Sequence, residues 1–390
     1  MNLKISCHHS ANQFPKFYFL IGLVTLYLFT SVSLNAGENQ NPDRTVIIGK
    51  IQYTDNVSPD NMEISLVDNK KSPSTITEFL SHTGSESIFT LELKNNEPVV
   101  LNISGEKGIG RVFLQPEKIT DTLYIDYPVV ETIVFLHTND HHFDINMLDE
   151  LESKIKEIRN EYEDVFLFDA GDIFVRHPQR WVVNGTLMED PQWYGDRAIQ
   201  MVQVMNDLGY QAMTLGNHEL DYKDFYTLHA LEKANFPLLS ANMDITTDKI
   251  PPTKSYISFQ TSTARKVNVL GLSVASGNPP GIRQKNIFDT AQEYMYLREV
   301  SDIFLALTHI GLENDARLAE NFPELDVIIG GHSHHLIDEG VFVNDVLIAQ
   351  AGGNRHEVSD DHLVYLGKVI VKLENGIISH KSGIVMFIPE

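Results

Sequence analysis

The sequence predicts an α/β domain preceded by a small all-β domain, and three observations carry that prediction. Residues 44–128 alternate apolar and polar positions in short runs separated by turn residues. From Glu131 onward, apolar runs without alternation take turns with stretches of helical period. Five of those runs end in imidazoles, carboxylates or amides, the last of them within "LDVIIGGHSHHLID" at 325–338.

The start of the chain differs from both. Lys4 and Lys16 precede the apolar run "FYFLIGLVTLYLFTSVSL" (Phe17–Leu34), and small residues come after it at Ala36 and Gly37. A basic start, an apolar middle and a small-residue exit predict a secretory signal peptide over 1–36, cleaved near Ala36. The expected location is therefore secreted, periplasmic or cell-surface. At 18 residues the run is also long enough to stay as an anchor, so a membrane partner is expected only if it remains uncleaved. Cys7, the single cysteine, lies before the run, and the mature chain then has no thiol for a nucleophile, a thiolate metal site or a disulfide.

The β domain, 37–128, is read from "TVIIGKIQY", "EISLVD", "SIFTLEL", "PVVLNIS", "GRVFL" and "DTLYID". Several short strands with frequent turns predict a small sandwich, and no catalytic constellation stands in it. The second domain, 129–390, opens with "TIVFL" and "VFLFD", runs suited to strands covered on both faces. Between them Leu151, Ile155, Ile158 and Tyr162 fall at helical spacing. A second helix places Ala198, Met201, Val202, Met205 and Leu208 on one face, with Gly209 to stop it. Strands "AMTL", "KVNVLGLSV", "DIFLAL" and "DVIIG" come next, and the tail reads as a hairpin around "ENG". Strand–helix alternation of this kind makes the domain α/β.

A formal charge of −23 without any block of Lys or Arg disfavours nucleic acid and anionic membranes, both of which reward concentrated positive charge. Function is sought instead at the strand ends: "HTNDHH" (137–142), "DAGD" (169–172), "GNHELD" (216–221), "THIG" (308–311) and "GGHSHH" (330–335). Each alone is an ordinary turn or a satisfied histidine. Together they deliver Asp140, His142, Asp172, Asn217, His218, His309, His332 and His334 to the carboxyl rim of one sheet system, where ligand sites of open α/β sheets assemble. Unpartnered buried carboxylates and imidazoles cost several kcal/mol by rough estimate, and a shared cation removes that cost. Oxygen and imidazole donors without thiolate suit Zn, Mn, Fe, Mg or similar divalent ions.

"LHTNDHH", "DAGD", "LGNHELDY", "LTHIG" and "VIIGGHSHH" resemble, in that order, the signature of the calcineurin-like metallophosphoesterases, and the 5′-nucleotidase-type branch most closely, over about residues 131–372. The resemblance implies a sandwich of two mixed β-sheets flanked by helices with a dinuclear metal centre between the sheet ends. It implies Asp140, His142 and His334 on one metal, Asp172 bridging, and Asn217, His309 and His332 on the second. Where this branch often has glutamine, His334 stands here; the wider superfamily uses histidine. Two ions about 3.5–4 Å apart share and acidify a water, which would attack phosphorus in line. His218 is implied as the group that stabilises the transition state and protonates the leaving oxygen, with Asp221 orienting its ring. Of the remaining imidazoles, His137 is expected to be structural and His335 to be solvated or to stand behind the ligands.

Substrate is less legible. The chain ends 56 residues beyond His334, too soon for the C-terminal domain that stacks the nucleobase in this branch. Arg176, Arg180 and Trp181, with Trp193 and Tyr194, stand in a segment (175–196) that either grips a phosphate and a ring or simply covers the core; Arg283 in "SGNPPGIRQ" is a second candidate lip, and Asn217 is a further substrate contact. The expected partner is a small phosphorylated molecule such as a nucleotide. The expected function is a secreted 5′-nucleotidase-like phosphomonoesterase. The alternatives are a phosphodiesterase or pyrophosphatase on cyclic nucleotides or nucleotide sugars, or a non-catalytic surface module with structural metals.

Overall fold

Alternating apolar residues build the first part of the protein. Strands β1 (Thr45–Tyr53), β2 (Glu63–Leu66), β3 (Thr75–Thr83), β4 (Glu86–Leu93), β5 (Val99–Gly105), β6 (Gly108–Leu114) and β7 (Leu123–Tyr127) form two sheets, ordered β3-β4-β1-β7 and β2-β5-β6. Ile47, Ile51, Phe89 and Leu91 of one sheet and Ile64, Leu101, Ile103 and Leu114 of the other meet in a single apolar core. Val46, Ile48 and Tyr124, one position out of phase, face outward. The computed structural model describes residues 45–388 apart from 54–62, 68–74, 84–85, 94–96, 106–107, 120–121, 143–147, 175–180, 184–185, 189–190, 221–228 and 354–363. The signal peptide expected over 1–36 lies outside the described residues. Among those residues no helix is long and apolar enough to cross a membrane.

The period changes at β8 (Val130–Thr138), as the sequence predicts. After it come α1 (Leu148–Glu161), β9 (Asp164–Asp169), β10 (Trp181–Val183), β11 (Thr186–Met188), α2 (Pro191–Leu208), β12 (Ala212–Thr214), α3 (Asn217–Leu220), β13 (Leu238–Leu239) and β14 (Met243–Ile245). The order continues through β15 (Tyr256–Gln260), β16 (Lys266–Ser273), β17 (Ile282–Gln284), α4 (Ile287–Tyr294), β18 (Ile303–His309), α5 (Leu312–Asn321) and β19 (Val327–Ile329). The chain closes with β20 (Val341–Val343), β21 (Val346–Ala349), β22 (Val364–Glu374) and β23 (Ile377–Ile388). Segment 175–196, expected as an irregular cover or gripping loop, contains the β10–β11 hairpin and the start of α2.

Two six-stranded mixed sheets result, β13-β12-β9-β8-β22-β23 and β15-β16-β18-β19-β21-β20. Period-two patterning on doubly covered strands explains their layering. Ile133, Phe135, Phe166 and Phe168 of the first sheet pack on Val267, Val269, Leu305, Leu307 and Val327 of the second. The opposite side chains of β8, Val134 and Leu136, pack under α1 and α2 with Leu151, Ile155, Met201 and Met205. Ala306, Ile328 and Ile348 likewise face α4 and α5. Parallel pairing brings the carboxyl ends level, with Thr138 beside Asp169 and Ser273 beside His309.

At the opposite, amino ends the two sheets and the β domain are tied by charge. Arg265, just before β16, meets Glu131 of β8 at 2.6 Å, and both side chains are buried. Glu131 also accepts from the Thr263 hydroxyl at 2.6 Å and the Arg111 N–H at 3.3 Å, while Arg265 donates to the Ile109 carbonyl at 2.8 Å. Asn375, in the turn between β22 and β23, accepts the Val129 N–H at 2.8 Å through its side chain and the Ile109 N–H at 3.1 Å through its backbone. Glu131→Ala takes the closer of two carboxylates from the buried Arg265 guanidinium, leaving Asp302 at 3.3 Å, and is expected to destabilise the fold by about 3 kcal/mol, read from the urea midpoint at neutral pH.

His137 of β8 is expected to be structural; its ring is buried and lies against Gly367 of β22. Burial depresses its pKa to about 3. The unfolded chain therefore takes up a proton below about pH 6.5 that the native state refuses. Stability falls as pH drops from that value toward 3, by at most about 1.4 kcal/mol per unit. The drop in urea midpoint between pH 7 and pH 5 is expected to shrink in His137→Phe.

Candidate metal centre

The five predicted strand ends converge on one mouth. Backbone hydrogen bonds lace the first two loops, Asp140 N–H to the Gly171 carbonyl at 2.8 Å and His142 N–H to the Asp172 carbonyl at 3.1 Å. His142 Nε2 then lies 3.2 Å from His334 Nε2, and His334 Nε2 lies 3.4 Å from Asp140 Oδ1. His309 Nε2 lies 3.1 Å from Asp172 Oδ2 and 4.0 Å from Asp140 Oδ1. His218 Nε2 stands 3.6 Å from Asp172 Oδ2. Donor atoms of Asp140, His142 and His334 fall within 4.8 Å of one another, as do those of Asp172, His309 and His332 and those of His142, Asp172 and His218.

The donor set fits divalent cations. His142 Nδ1 is 2.9 Å from the Phe174 carbonyl and His309 Nδ1 is 2.6 Å from the Ala170 carbonyl. A carbonyl can only accept, so each Nδ1 carries a proton and each Nε2 is the nitrogen turned toward the cluster. Asn217 Oδ1 is buried without a hydrogen-bond partner, and an ion would satisfy it. Asp172 and His309 support each other's charge: burial alone would lower the His309 pKa, but the Asp172 carboxylate and then Asp140 lift it to about 10. Burial would raise Asp172, yet His309, His218 and His142 hold it far below the carboxylate range.

Local backbone conformation explains how the loops turn so sharply. Asp140, His142, Asp172, His332 and His334 all have positive φ, between 49° and 77°, and make up five of the eight non-glycine residues so placed among those described. The left-handed region costs an L-residue about 1–2 kcal/mol, least for Asp and Asn, and such strain collects at functional sites. Glycines let the loops close. A Cβ on Gly216 would come within 2.1 Å of Asp172 Oδ1, and one on Gly353 within 2.6 Å of the Asp140 Cβ.

Glu219, which no sequence pattern singled out, ties its own turn to the 171–174 loop. It is 1% exposed, and Oε2 accepts the N–H groups of Asp172 and Gly216 at 2.8 Å each, while Oε1 accepts that of Phe174 at 3.2 Å. Burial and the Asp172 charge raise its pKa to about 7. The only sequence signal was its place between His218 and Leu220 in the "GNHEL" turn; its reach back to the 171–174 loop is tertiary. Asn139 is a second such residue, donating to Asp140 Oδ2 at 2.7 Å and accepting the Ala351 N–H at 2.8 Å.

The remaining predicted residues lie away from this cluster or outside the described chain. His335 is exposed at the rim. Arg283 is exposed on β17, which pairs with β14, and its guanidinium is bound to Asp244. Asp221, Arg176 and Arg180 lie outside the described residues, and Trp181 is described only as backbone at the start of β10.

Residues 133–336 match the family described as calcineurin-like phosphoesterase. The trifunctional nucleotide phosphoesterase protein YfkN of Bacillus subtilis (strain 168) is 31% identical over 303 residues, covering 66% of this chain and 19% of that one. A 5′-nucleotidase of Vibrio vulnificus (strain CMCP6) is 29% identical over 239 residues, covering 52% of this chain and 40% of that one. The chain thus spans well under half the length of either. The crystal structure of a 5′-nucleotidase precursor from Thermus thermophilus superimposes with a TM-score of 0.52 at 22% identity, over 66% of this chain and 56% of that one, and shows the same fold.

Glu219→Ala is expected to lower affinity for divalent metal by about 10–100-fold, because three N–H groups that fix the Asp172 loop lose their acceptor. Calorimetric titration of the metal-free protein checks it, and unchanged affinity would show that the loop holds its shape unaided.

Proposed function

The chain belongs to the calcineurin-like phosphoesterase family, and from that premise we propose that it is a metal-dependent phosphoric ester hydrolase, a 5′-nucleotidase-like phosphomonoesterase. The observation that carries this reading is the convergence of Asp140, His142, Asp172, His309, His332 and His334 near the unpartnered Asn217 Oδ1. We assign Asp140, His142 and His334 to one divalent ion, Asp172 to both, and Asn217, His309 and His332 to the second. Such a pair supplies an acidified water at neutral pH and neutralises phosphate oxygens as charge shifts during in-line displacement.

The chain's own groups do the rest. The carbonyls of Phe174 and Ala170 fix the tautomers of His142 and His309. Asp140 is oriented by the Asn139 amide and by the His332 N–H, 2.9 Å from Oδ2. Asp172 Oδ1 accepts the His218 N–H at 2.8 Å, which leaves Oδ2 toward the imidazoles. His218 is partly exposed at the mouth and sits 3.6 Å from that carboxylate, a position from which it can donate a proton to the departing alkoxide. Asp221 is assigned to orient it.

A nucleotide substrate is supported by the names of the two curated relatives. A two-ion centre would also serve diesters, and a Haemophilus influenzae relative named 2′,3′-cyclic-nucleotide 2′-phosphodiesterase/3′-nucleotidase, 25% identical over 257 residues, supports that alternative. We place the catalytic domain at 129–390 and the β domain at 37–128, and read residues 1–36 as an export signal.

Hydrolysis of p-nitrophenyl phosphate, bis-p-nitrophenyl phosphate and nucleoside monophosphates, with and without chelator, tests the proposal. Turnover is expected to vanish with chelator and return with added metal. His218→Ala is expected to lose about 10²–10⁴-fold in rate while its metal content stays unchanged. Turnover that survives the chelator, or a variant as fast as wild type, would overturn the assignment.

A further inference from the structure

The loop "GGHSHH" poses a mechanical problem that the metal assignment does not solve. His332 and His334 both occupy left-handed conformations, at φ 77° and 52°, and both project into the mouth. Between them stands Ser333, whose hydroxyl oxygen accepts the N–H of Leu312 at 3.0 Å. Leu312 opens α5, whose N-cap is Gly311, a residue with no side chain to offer. Ser333 therefore caps that helix from a distant part of the chain.

Having accepted from Leu312, the Ser333 hydroxyl donates to Gln350 Oε1 at 3.1 Å. The Gln350 amide donates in turn to Asp315 Oδ2 at 2.9 Å, and the Thr308 hydroxyl donates to Asp315 Oδ1 at 2.6 Å. Thr308, Asp315 and Gln350 are all fully buried. Every bond runs in one direction and ends on the carboxylate, so each member has a single role. The chain of bonds joins the ends of β18 and β21, the first turn of α5 and the loop after β19.

The sequence makes room for this. A Cβ on Gly330 would fall 2.2 Å from Asp315 Oδ2 and 2.8 Å from Gln350 Nε2. One on Gly331 would fall 2.8 Å from the Ala170 carbonyl. The first glycine lets the loop lie on the buried polar chain, and the second lets it lie on the 170–172 loop. Ala351, directly after Gln350, donates its N–H to Asn139, which grips Asp140. The end of β21 thus braces both halves of the first proposed cation site.

We propose that Ser333, Gln350 and Asp315 act as one positioning relay that presets the loop carrying His332 and His334 for a divalent cation. The relay rests on the metal reading given above, but not on the hydrolytic one. Its members touch neither the cation nor a substrate; they act through the two imidazoles that Ser333 separates.

Cobalt(II) titration of the metal-free protein, followed by visible absorption and calorimetry, tests it. Ser333→Ala and Gln350→Leu are each expected to lose about 10–100-fold in cobalt affinity and to shift the absorption bands. Ser333→Thr, which restores the hydroxyl, is expected to recover both. The double variant Ser333→Ala/Gln350→Leu is expected to lose no more than the weaker-binding single variant, because both cuts sever one relay. If Gln350→Leu fails to fold, Ser333→Ala carries the test alone. Wild type that binds cobalt while Ser333→Ala binds it with the same affinity and spectrum would overturn the relay and leave the hydrolase reading standing. Wild type that binds cobalt but hydrolyses no phosphoester, with the variants weakened, would support the relay and defeat the hydrolase. A wild type that takes up no cobalt would overturn both.

Discussion

The approach of Asp172 to His309 is the contact on which the rest of the molecule depends. The two residues belong to different sheets, one in the loop after β9 and the other at the end of β18, and their side chains stand 3.1 Å apart with almost no exposure. Neither group tolerates that depth alone. They can meet only because the apolar layer between the sheets keeps β9 and β18 at a fixed separation and because parallel pairing keeps the strand ends level. Glu131 and Arg265 repeat the arrangement at the amino ends, where charges from the two sheets meet at 2.6 Å. The sandwich is therefore closed at each end by a pair of opposite charges and filled between them by hydrocarbon.

That symmetry clarifies the β domain. Arg111, Ile109 and the junction residue Val129 hydrogen-bond to Glu131, Arg265 and Asn375, so the two sheets and the β domain share one polar knot. A Cβ on Gly108 would approach the Asn375 carbonyl to 2.9 Å, and one on Gly110 would come within 2.4 Å of the Val129 Cβ. At Gly108 backbone lies directly on backbone, and at Gly110 a side chain does. Strands β1–β7 meet the sandwich at its amino ends, opposite the carboxyl ends that carry the metal-centre residues.

Much of this is legible in the sequence. Doubly covered strands have to be apolar on both sides, and "TIVFL", "VFLFD" and "DIFLAL" announce themselves for that reason. The residues just beyond each of them are polar for an equally local reason, and those brought together at the mouth were all named from the sequence. The residues that orient them were not. Glu219, Asn139, Asp315 and Gln350 look like ordinary polar positions, and only folding brings Glu219 to the N–H of Asp172 or Gln350 to the hydroxyl of Ser333. Nor does sequence reveal that five of the mouth residues bend the backbone into the left-handed region, since Asp and His, unlike Gly, give no such warning. The short strands β10 and β11, inside an expected loop, escaped because three residues apiece are too few to display an alternating pattern.

The glycines at 330 and 331 have a consequence for how this centre can change. Any side chain there collides with fixed atoms, while Asp140, Asp172 and His309 are sealed on every side. His332 and His334 differ: the first is exposed, and the second has 38% of its side chain open to solvent. Variation in ion preference among descendants of this chain, or in a laboratory redesign, therefore has its points of entry at these two rim positions, and the remainder of the cage must be inherited whole.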